Sequence, residues 1–600
     1  MTAVWLVVVA VVGGLVACTP KPAGPESAAQ AFFAAFAEQD FGVAAAHTDR
    51  PGDAESALAE TWDGLQAESL TAGTTGVQIH GDAATVTYSY EWHLPKDRIW
   101  QYTGTMQMGR SGDDWIVRWT RSNLHPQLGD RQTMHLRTKA APRARVNEHS
   151  GGDVLVPGTV YSVTFDASAS SDVLGAARAL SAALTGFDKS LTAQSIAESA
   201  TAASGPMAVV RLVEDDYATV SEALGAIPGV SVVEQADLVA TDRNLAPDLL
   251  GQIKKTVIDE IDGVAGWSVV VLNQYGVDIG VLTETAPQPA PSFSISLDRP
   301  IQLAAQAAVD ARTEQAMTVV IEASTGAVLA VAQNKAADRD GPVAIAGHYP
   351  PGSTFKIITS GAAISTGLAT PDTMVPCPGR ITIGERSVPN YNEFELGTVS
   401  MATAFARSCN TSFAKLASEM PADALTNAAA AFGIGPEYGV VGLPVFSGSV
   451  PPAENTVQRA EDGFGQGKVV VSPFAMALAA ATVAAGRTPV PYLIQGRETT
   501  VDGDRPEVTA GNRPTITPEM VDGLRDMMRL VITSGTADRI RDQGEVYGKT
   551  GEAEVEGGSH AWFVGYRGDL AFATLVVRGG SSDNAVAVTR DMFAALPEGY

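Results

Sequence analysis

This chain of 600 residues carries 41 Lys and Arg against 67 Asp and Glu, which gives a formal net charge of −26. No basic run offsets that charge, so the composition argues against a nucleic-acid partner, whose phosphates need clustered cations. The hydrophobic share of 45% is enough for several cores, and the length predicts two to four domains.

The N-terminus is an apolar run from Ala3 to Ala17 that ends at Cys18. The run is shorter than the roughly 20 residues of a membrane-spanning helix, but it suits the core of a signal peptide. The end of the run, Leu-Val-Ala-Cys, resembles a bacterial lipobox. That resemblance implies a signal peptide over 1–17, lipidation of Cys18 and a lipidated linker over 18–25. No Lys or Arg precedes the run, so a short uncleaved anchor is the alternative. Both readings predict a chain held at the extracytoplasmic face of the cell membrane.

A domain of helix followed by strands is predicted over 26–138. Phe32 and Phe36 lie at helical spacing, and the stretch that ends at Trp92 alternates in the manner of a β-strand. A helix followed by an antiparallel sheet predicts a compact α+β fold. The closing segment 115–128 resembles the NTF2-like domain at the front of some penicillin-binding proteins. This resemblance implies an NTF2-like α+β cone with its aromatic side chains in the core.

The middle region, 139–292, mixes helix and strand signals and contains no motif with obvious chemistry. Its segment Arg145–Leu155 resembles the entry of the pedestal, or dimerisation-like, domain of the same proteins, which implies an α+β pedestal. The proline-rich segment 286–292 is typical of a linker.

The pattern changes again from residue 293 onward. Met317 to Val331 predicts a β-hairpin, and the turn Tyr349–Gly352 leads into an apolar helical run. Ser353 and Lys356 are three residues apart, so on a helix they share one face. A buried lysine near positive charge can accept a serine proton and so activate the hydroxyl. A second Ser-x-x-Lys, Ser412–Lys415, leaves the choice between the two copies open at this point.

Two later motifs, Ser-Cys-Asn at 408–410 and Lys-Thr-Gly at 549–551, contain residues that suit acyl transfer from a peptide with a terminal carboxylate. Ser408 can relay a proton to the leaving amine, and Asn410 can hydrogen-bond the substrate amide. Lys549 adds a positive charge, which favours the neutral form of Lys356 and attracts the carboxylate. Thr550 can donate a hydrogen bond to that carboxylate. Gly551, without a side chain, lets a substrate backbone pair along the strand edge.

The backbone N–H groups of Ser353 and Glu552 are the candidates for an oxyanion hole, which is a large contribution in acyl transfer. No other chemistry is indicated. The histidines form no metal-ligand pattern, and no cofactor motif is present, so neither a metal nor a cofactor is expected.

The set Ser-x-x-Lys, Ser-x-Asn and Lys-Thr-Gly resembles that of the penicillin-binding proteins and serine β-lactamases. The segments Phe464–Gly467, Ser534–Ala537 and Trp562–Tyr566 look like those of class B penicillin-binding proteins, the monofunctional transpeptidases. The resemblance implies a transpeptidase domain over 293–600, with an antiparallel sheet flanked by helices, in an α+β multidomain chain. It also implies Ser353 as the nucleophile and a structural role for Ser412–Lys415.

The activity implied is that of a peptidoglycan D,D-transpeptidase, which cross-links stem peptides through an acyl-enzyme and is acylated by β-lactams. A glycan-polymerising protein is a candidate partner. A D,D-carboxypeptidase, a β-lactamase and a catalytically weak scaffold are the alternatives. Glu552 stands where the family usually has threonine, and its carboxylate is expected to lower affinity for many β-lactams. Apart from Cys18, the chain has two cysteines, Cys377 and Cys409. An exported chain can keep a disulfide, so we expect these two to pair.

Overall fold

The computed structural model describes residues 24–502 and 515–600. The predicted signal peptide and Cys18 lie outside the described residues. Within those two ranges, no helix has the length and apolar character needed to cross a membrane.

The described helices are α1 (Pro25–Ala37), α2 (Phe41–Ala46), α3 (Pro51–Leu65), α4 (Val173–Leu184), α5 (Ala193–Ala202), α6 (Glu214–Gly225), α7 (Pro247–Val257), α8 (Arg299–Asp310), α9 (Lys335–Asp338), α10 (Val343–Ala346), α11 (Lys356–Ser365), α12 (Met401–Ala406), α13 (Asn410–Glu419), α14 (Ala424–Ala431), α15 (Thr456–Asp462), α16 (Pro473–Ala485), α17 (Pro518–Thr533) and α18 (Asp583–Ala595).

The described strands are β1 (Ser69–His80), β2 (Ala83–Leu94), β3 (Arg98–Ser111), β4 (Asp114–Val117), β5 (Thr133–Lys139), β6 (Val146–Asn147), β7 (Asp153–Phe165), β8 (Met207–Val213), β9 (Val230–Ala240), β10 (Gly266–Leu272), β11 (Asp278–Thr285), β12 (Phe293–Ser294), β13 (Ala316–Glu322), β14 (Val328–Gln333), β15 (Met374–Cys377), β16 (Arg380–Ile383), β17 (Arg386–Pro389), β18 (Gly397–Ser400), β19 (Glu437–Gly439), β20 (Thr500–Asp502), β21 (Val546–Val555), β22 (Gly558–Arg567) and β23 (Leu570–Val576).

One unit of the chain joins residues 24–142 with residues 262–290. The strands β1 to β4 form an antiparallel sheet in chain order. Alternation in β2 buries every second side chain, which places Tyr90 and Trp92 beside Phe36 of α1. Aromatic pairs at these centroid distances stabilise a core beyond the area that they bury. The predicted α+β domain with an aromatic core is confirmed.

The structure divides the middle of the chain differently from the sequence expectation. The strands β10 and β11 fall within the predicted second domain, 139–292, but β10 pairs with β5 of the first unit. Val269 and Val271 of β10 are buried in the aromatic core together with Met134 and Leu136 of β5. The reason is physical, since the apolar faces of both strands are matched in register and cover the same core.

The second unit contains residues 143–261 and 291–600. Its first part is a sheet in which β7 pairs with β6, β8 and β9, with α4 to α6 against one face. Val163 and Phe165 of β7 are buried with Leu180 and Leu184 of α4. This part has helix and strand as predicted, and its role as a pedestal stays a prediction.

The rest of the second unit is built on a five-stranded antiparallel sheet in the order β14-β13-β23-β22-β21. The predicted hairpin is confirmed as β13 and β14. Helices α8 and α18 pack together on the sheet, and the almost fully buried α16 packs on β13, β22 and β23. The edge strand β21 packs on the turn that leads into α11. This junction between β21 and α11 carries the candidate site.

Candidate active site

The turn before α11 holds Ser353 in a fixed place. Gly352–Phe355 forms a short 3₁₀ turn that continues into α11, as the turn-to-helix pattern predicted. Tyr349 exchanges two backbone hydrogen bonds of 2.9 Å with Val471. The indole of Trp562 in β22 donates to the carbonyl of Pro350 over 3.0 Å. The backbone that carries the serine is therefore tied to the sheet on one side and to a loop on the other.

Two glycines allow an unusually close approach of backbones beside this serine. Gly352 has φ of +52° and Gly465 has φ of +76°, values that favour glycine. The N–H of Gly352 donates to the carbonyl of Gly465 over 3.0 Å. A Cβ on Gly465 would lie 2.1 Å from the carbonyl oxygen of Gly352, and a Cβ on Gly352 would lie 2.4 Å from that of Glu552. The turn that contains Gly465 thus presses the turn of Ser353 against β21.

Lys356 is the centre of the polar cluster below the cleft and is completely buried. Its Nζ lies 3.0 Å from Ser353 Oγ, and it donates to the carbonyl of Ser408 over 2.9 Å and to Asn410 Oδ1 over 2.7 Å. The Nζ atom also lies 5.5 Å from the centre of the Phe413 ring. One lysine thus joins the first two sequence motifs, at the distance that proton transfer from Ser353 requires.

Lys549 approaches the same cluster from β21 and is also completely buried. Its Nζ donates to Ser408 Oγ over 2.9 Å and to the carbonyl of Thr550 over 2.8 Å, and it lies 5.6 Å above the ring of Phe405. Burial lowers the pKa of Lys549 to about 7, although the carboxylate of Glu552 acts in the opposite direction. Ser408 Oγ therefore links the Ser-x-Asn motif to the Lys-Thr-Gly motif.

The two lysines influence each other's charge. Burial lowers the pKa of Lys356 well below its usual range, and the positive charge of Lys549 lowers that pKa further. Near neutral pH at most one of the two lysines is therefore in its charged form, and that lysine is Lys549. A neutral amine beside Ser353 can accept the hydroxyl proton, as the spacing of the motifs predicted.

The Ser-x-Asn motif at 408–410 has an unusual backbone conformation and is anchored by a disulfide. Ser408 has φ of +61°, which is rare for a residue with a side chain and directs its carbonyl and hydroxyl to the lysines. Cys377 and Cys409 form a disulfide, so the expected pairing is confirmed. The buried Asn390 adds a further support, because its Oδ1 accepts from the N–H of Thr411 over 3.1 Å.

An open cleft of about 1030 Å³ lies above these groups. Thr550, Gly551 and Glu552 of β21 form one wall, and the segment 386–396 forms much of the opposite wall. Ser353 lies at the base of the cleft, at the limit of full burial with 9% exposure. Glu552 is half-buried, and its Oε1 accepts from the N–H of Ser582, just before α18, over 2.9 Å. A cleft of this volume, open to solvent and lined by the edge strand β21, has room for a short peptide.

The second Ser-x-x-Lys copy has other contacts. Ser412 Oγ donates to the carbonyl of Pro376 over 2.8 Å, and the exposed Lys415 pairs with Glu419 on the same helix. Neither residue lines the cleft.

Three features of the cleft were missed by sequence reasoning. Thr536 and Thr550 are hydrogen-bonded through their hydroxyls at 2.5 Å. Gln466 donates from Nε2 to the carbonyl of Glu552 over 3.5 Å. Exposed Tyr391 stands on the wall opposite β21. Thr536 and Gln466 lie in the segments Ser534–Ala537 and Phe464–Gly467, which resemble the family but suggested no role for either residue. The short irregular stretch around Tyr391 has no periodic pattern from which its position could be predicted.

Cys18 cannot be placed because it lies outside the described residues. In the parts of the chain that the structure describes, no group of three or more His, Cys, Asp or Glu side chains could hold a metal ion.

Comparison with known proteins gives two family matches. Residues 316–596 match the penicillin binding protein transpeptidase domain, and residues 24–132 match the NTF2-like N-terminal transpeptidase domain. The peptidoglycan D,D-transpeptidase PbpA of Mycobacterium tuberculosis is 32% identical over 244 residues, which cover 37% of this chain and 48% of that protein. The peptidoglycan D,D-transpeptidase MrdA of Acinetobacter baumannii is 26% identical over 372 residues, 54% of each chain.

A solved structure is also similar. A chain in the complex between penicillin-binding protein PBP2 and MreC from Helicobacter pylori superposes with a TM-score of 0.55 at 17% identity, covering 77% of this chain and 99% of that chain. This likeness supports the fold. The chain spans about half the length of the curated relatives that it matches. Residues 316–596 belong to the penicillin-binding protein transpeptidase family, and residues 24–132 belong to the NTF2-like domains at the N-terminus of such transpeptidases.

Proposed function

We propose that this chain is a serine-type peptidoglycan D,D-transpeptidase, with Ser353 as its nucleophile. The observation that carries the proposal is the contact of Lys356 with Ser353 at 3.0 Å, below an open cleft and next to a second buried lysine. This arrangement gives a neutral amine beside a hydroxyl and a positive charge close by, which acyl transfer at a carboxylate-terminated peptide needs.

In the first half-reaction, Lys356 accepts the proton of Ser353 Oγ as that oxygen attacks the carbonyl carbon of the D-Ala-D-Ala bond. Ser408, which contacts both lysines, passes a proton to the nitrogen of the terminal D-Ala. The C–N bond breaks, free D-Ala leaves and an ester to Ser353 remains. In the second half-reaction, an amine of a neighbouring stem peptide attacks the ester, loses a proton to the same groups and restores the hydroxyl.

The other predicted residues have binding roles in this proposal. Lys549 and Thr550 hold the terminal carboxylate, and Asn410 bonds the substrate amide. Gly551 leaves room for the substrate backbone along β21. The N–H groups of Ser353 and Glu552 stabilise the oxyanion, supported by the close packing of their backbones.

A fluorescent-penicillin gel with the full chain tests the proposal. We expect covalent labelling of the wild type and none of Ser353→Ala, because Ser353 Oγ lies 3.0 Å from Lys356 Nζ, whereas the other hydroxyl near this lysine, Ser408 Oγ, lies 3.3 Å away and also accepts from Lys549. Ser412→Ala and Lys415→Met, from the other Ser-x-x-Lys copy, should still be labelled. Labelling that survives Ser353→Ala would overturn the assignment.

Labelling alone leaves the fate of the acyl group open. Cross-linking of a lipid II-derived polymer is expected from a transpeptidase. Release of D-Ala without cross-links would indicate a carboxypeptidase. Rapid loss of the penicilloyl group from the labelled protein would indicate a β-lactamase. Labelling with neither D-Ala release nor cross-linking nor loss of the label would indicate a scaffold.

We also propose that Glu552 lowers the reactivity of the site toward anionic β-lactams. Its carboxylate lies on the cleft wall next to Thr550, where the drug carboxylate would bind. One like charge at a half-buried site costs about 1 kcal/mol, or roughly fivefold in rate. Glu552→Thr and Glu552→Gln should each raise the second-order acylation rate by about this factor. The glutamine variant separates charge from shape, because its side-chain oxygen can still accept from Ser582. Unchanged rates in both variants would contradict the proposal.

The membrane attachment rests on the sequence alone. We propose that Cys18 is lipidated and holds the chain at the extracytoplasmic face of the membrane, where a glycan-polymerising partner supplies new strands. Incorporation of an alkyne-labelled fatty acid should occur in the wild type and be lost in Cys18→Ser. A mature protein that retains residues 1–17 would instead indicate the uncleaved anchor.

A further inference from the structure

We propose that Thr536 is a carboxylate-binding residue, whose hydroxyl replaces the one that position 552 lacks in this chain. The inference deepens the proposed function and rests on it, because it assigns a further contact to the substrate or drug that Ser353 attacks. Thr536 precedes β21 and lies on the loop after α17.

The position of Thr536 supports a direct contact with a ligand. Its side chain is half-buried and lines the cleft together with Thr550. The Oγ1 atoms of the two threonines are 2.5 Å apart, so one hydroxyl donates to the other. The carbonyl of Thr550 accepts from Lys549, which fixes the strand below the pair.

The hydrogen count of the pair leaves one donor without an acceptor. Two hydroxyls carry two hydrogens, and their mutual bond uses one of them. Within residues 24–502 and 515–600, neither hydroxyl has another hydrogen-bond partner. The remaining O–H is therefore free to donate to an anion in the cleft. A hydroxyl that already accepts a hydrogen bond is also a stronger donor, which suits a carboxylate.

Glu552 explains why this donor matters here. A carboxylate at position 552 offers no hydrogen to an anionic ligand, and its Oε1 is bonded to the N–H of Ser582. The side chain of Thr550 alone would supply one donor to a group with two oxygens. The pair of Thr536 and Thr550, beside the ammonium of Lys549, gives the carboxylate both hydrogen bonds and charge.

The test compares benzylpenicillin with its methyl ester, which keeps the reactive ring but has no carboxylate. For Thr536→Val we expect the second-order acylation rate with the acid to fall about 10- to 100-fold, as for the loss of a hydrogen bond to a charged group. With the ester the rate should change by less than about threefold. Thr536→Ser retains the hydroxyl and should keep a rate close to that of the wild type.

A matched control is Thr533→Val, because the exposed Thr533 Oγ1 donates to the carbonyl of Arg529 in its own helix, α17. It should leave both rates unchanged. In the background of Glu552→Thr the loss caused by Thr536→Val should shrink, since the new hydroxyl shares the role. Fully additive losses would overturn the replacement of one hydroxyl by the other.

The outcomes separate this inference from the proposed function. Equal losses with acid and ester would mean that Thr536 supports the fold and does not contact the carboxylate. Failure of the wild type to acylate through Ser353 would instead overturn the proposed function, whatever Thr536→Val does.

Discussion

The charge on Lys549 should set the pH dependence of the reaction, and Lys549→Met tests this directly. The Nζ atoms of Lys549 and Lys356 lie 2.9 Å and 3.3 Å from Ser408 Oγ, so they are about 6 Å apart or less. At an effective dielectric constant of about 20, two unit charges at about 6 Å interact by roughly 3 kcal/mol. Removing Lys549 should therefore strengthen proton binding to Lys356 by about 100-fold.

The sign follows from which form of each lysine is active. Acylation needs neutral Lys356, so the rate rises with pH as this residue loses its proton. It falls again near pH 7, because the pKa of Lys549 is lowered to about 7 and its charge attracts the drug carboxylate. The second-order rate constant reports the free enzyme, so the wild type should give a bell-shaped profile. Lys549→Met should give a lower, singly rising curve whose limb is displaced to higher pH.

The assay is the second-order rate of labelling by a fluorescent penicillin between about pH 5 and pH 10. Lys415→Met is the matched control, because its exposed ammonium pairs with Glu419 away from the cleft, and it should keep the profile of the wild type. If Lys549→Met loses rate equally at every pH and keeps the position of the rising limb, Lys549 binds the carboxylate without tuning Lys356.

Two further changes test the packing around Ser353. The double variant Cys377→Ser and Cys409→Ser opens a link between residues 32 positions apart, and the loop-closure relation predicts a loss of about 4 kcal/mol in the free energy of unfolding. Urea titration of this variant against the oxidised wild type measures that loss, and equal midpoints would contradict it. Gly465→Ala should slow acylation at least about tenfold, because its Cβ would meet the carbonyl of Gly352. Gly486→Ala, at a similar φ of +70° but with open space around it, should cost stability without the loss of rate, and similar rates for both variants would refute the packing argument.

The candidate site was largely predictable because its signals are local. Ser353 and Lys356 are one helical turn apart, so a helix that starts after the turn brings them together without information from elsewhere. The order of the three motifs then favoured Ser353 and Lys356, the Ser-x-x-Lys copy that contributes Ser353 to the cleft in the structure. The sequence could not predict which side-chain atoms meet in the wall of the cleft, such as the hydroxyls of Thr536 and Thr550. That contact depends on how a loop returns to a strand, which no periodicity encodes.

The same limit applies to Glu552 and to the fold of the first unit. The sequence marked Glu552 as a departure from the family pattern, but its hydrogen bond to Ser582 joins residues 30 positions apart. Alternation identified which faces of the strands are apolar, yet it did not predict that β10 pairs with β5. An apolar face specifies that a strand must be covered and leaves its partner to tertiary packing.

The pairing of β5 with β10 has a consequence for how the chain is made. The pair joins Lys139 to Gly266, so about 130 residues are synthesised between the two partners. Until β10 has emerged, β5 presents a free strand edge, which is a feature that templates aggregation. The first unit cannot finish folding in step with its own N-terminal segment. A fragment cut at residue 138 would carry this exposed edge permanently, whereas one that joins residues 24–142 to residues 262–290 through a short linker would close it.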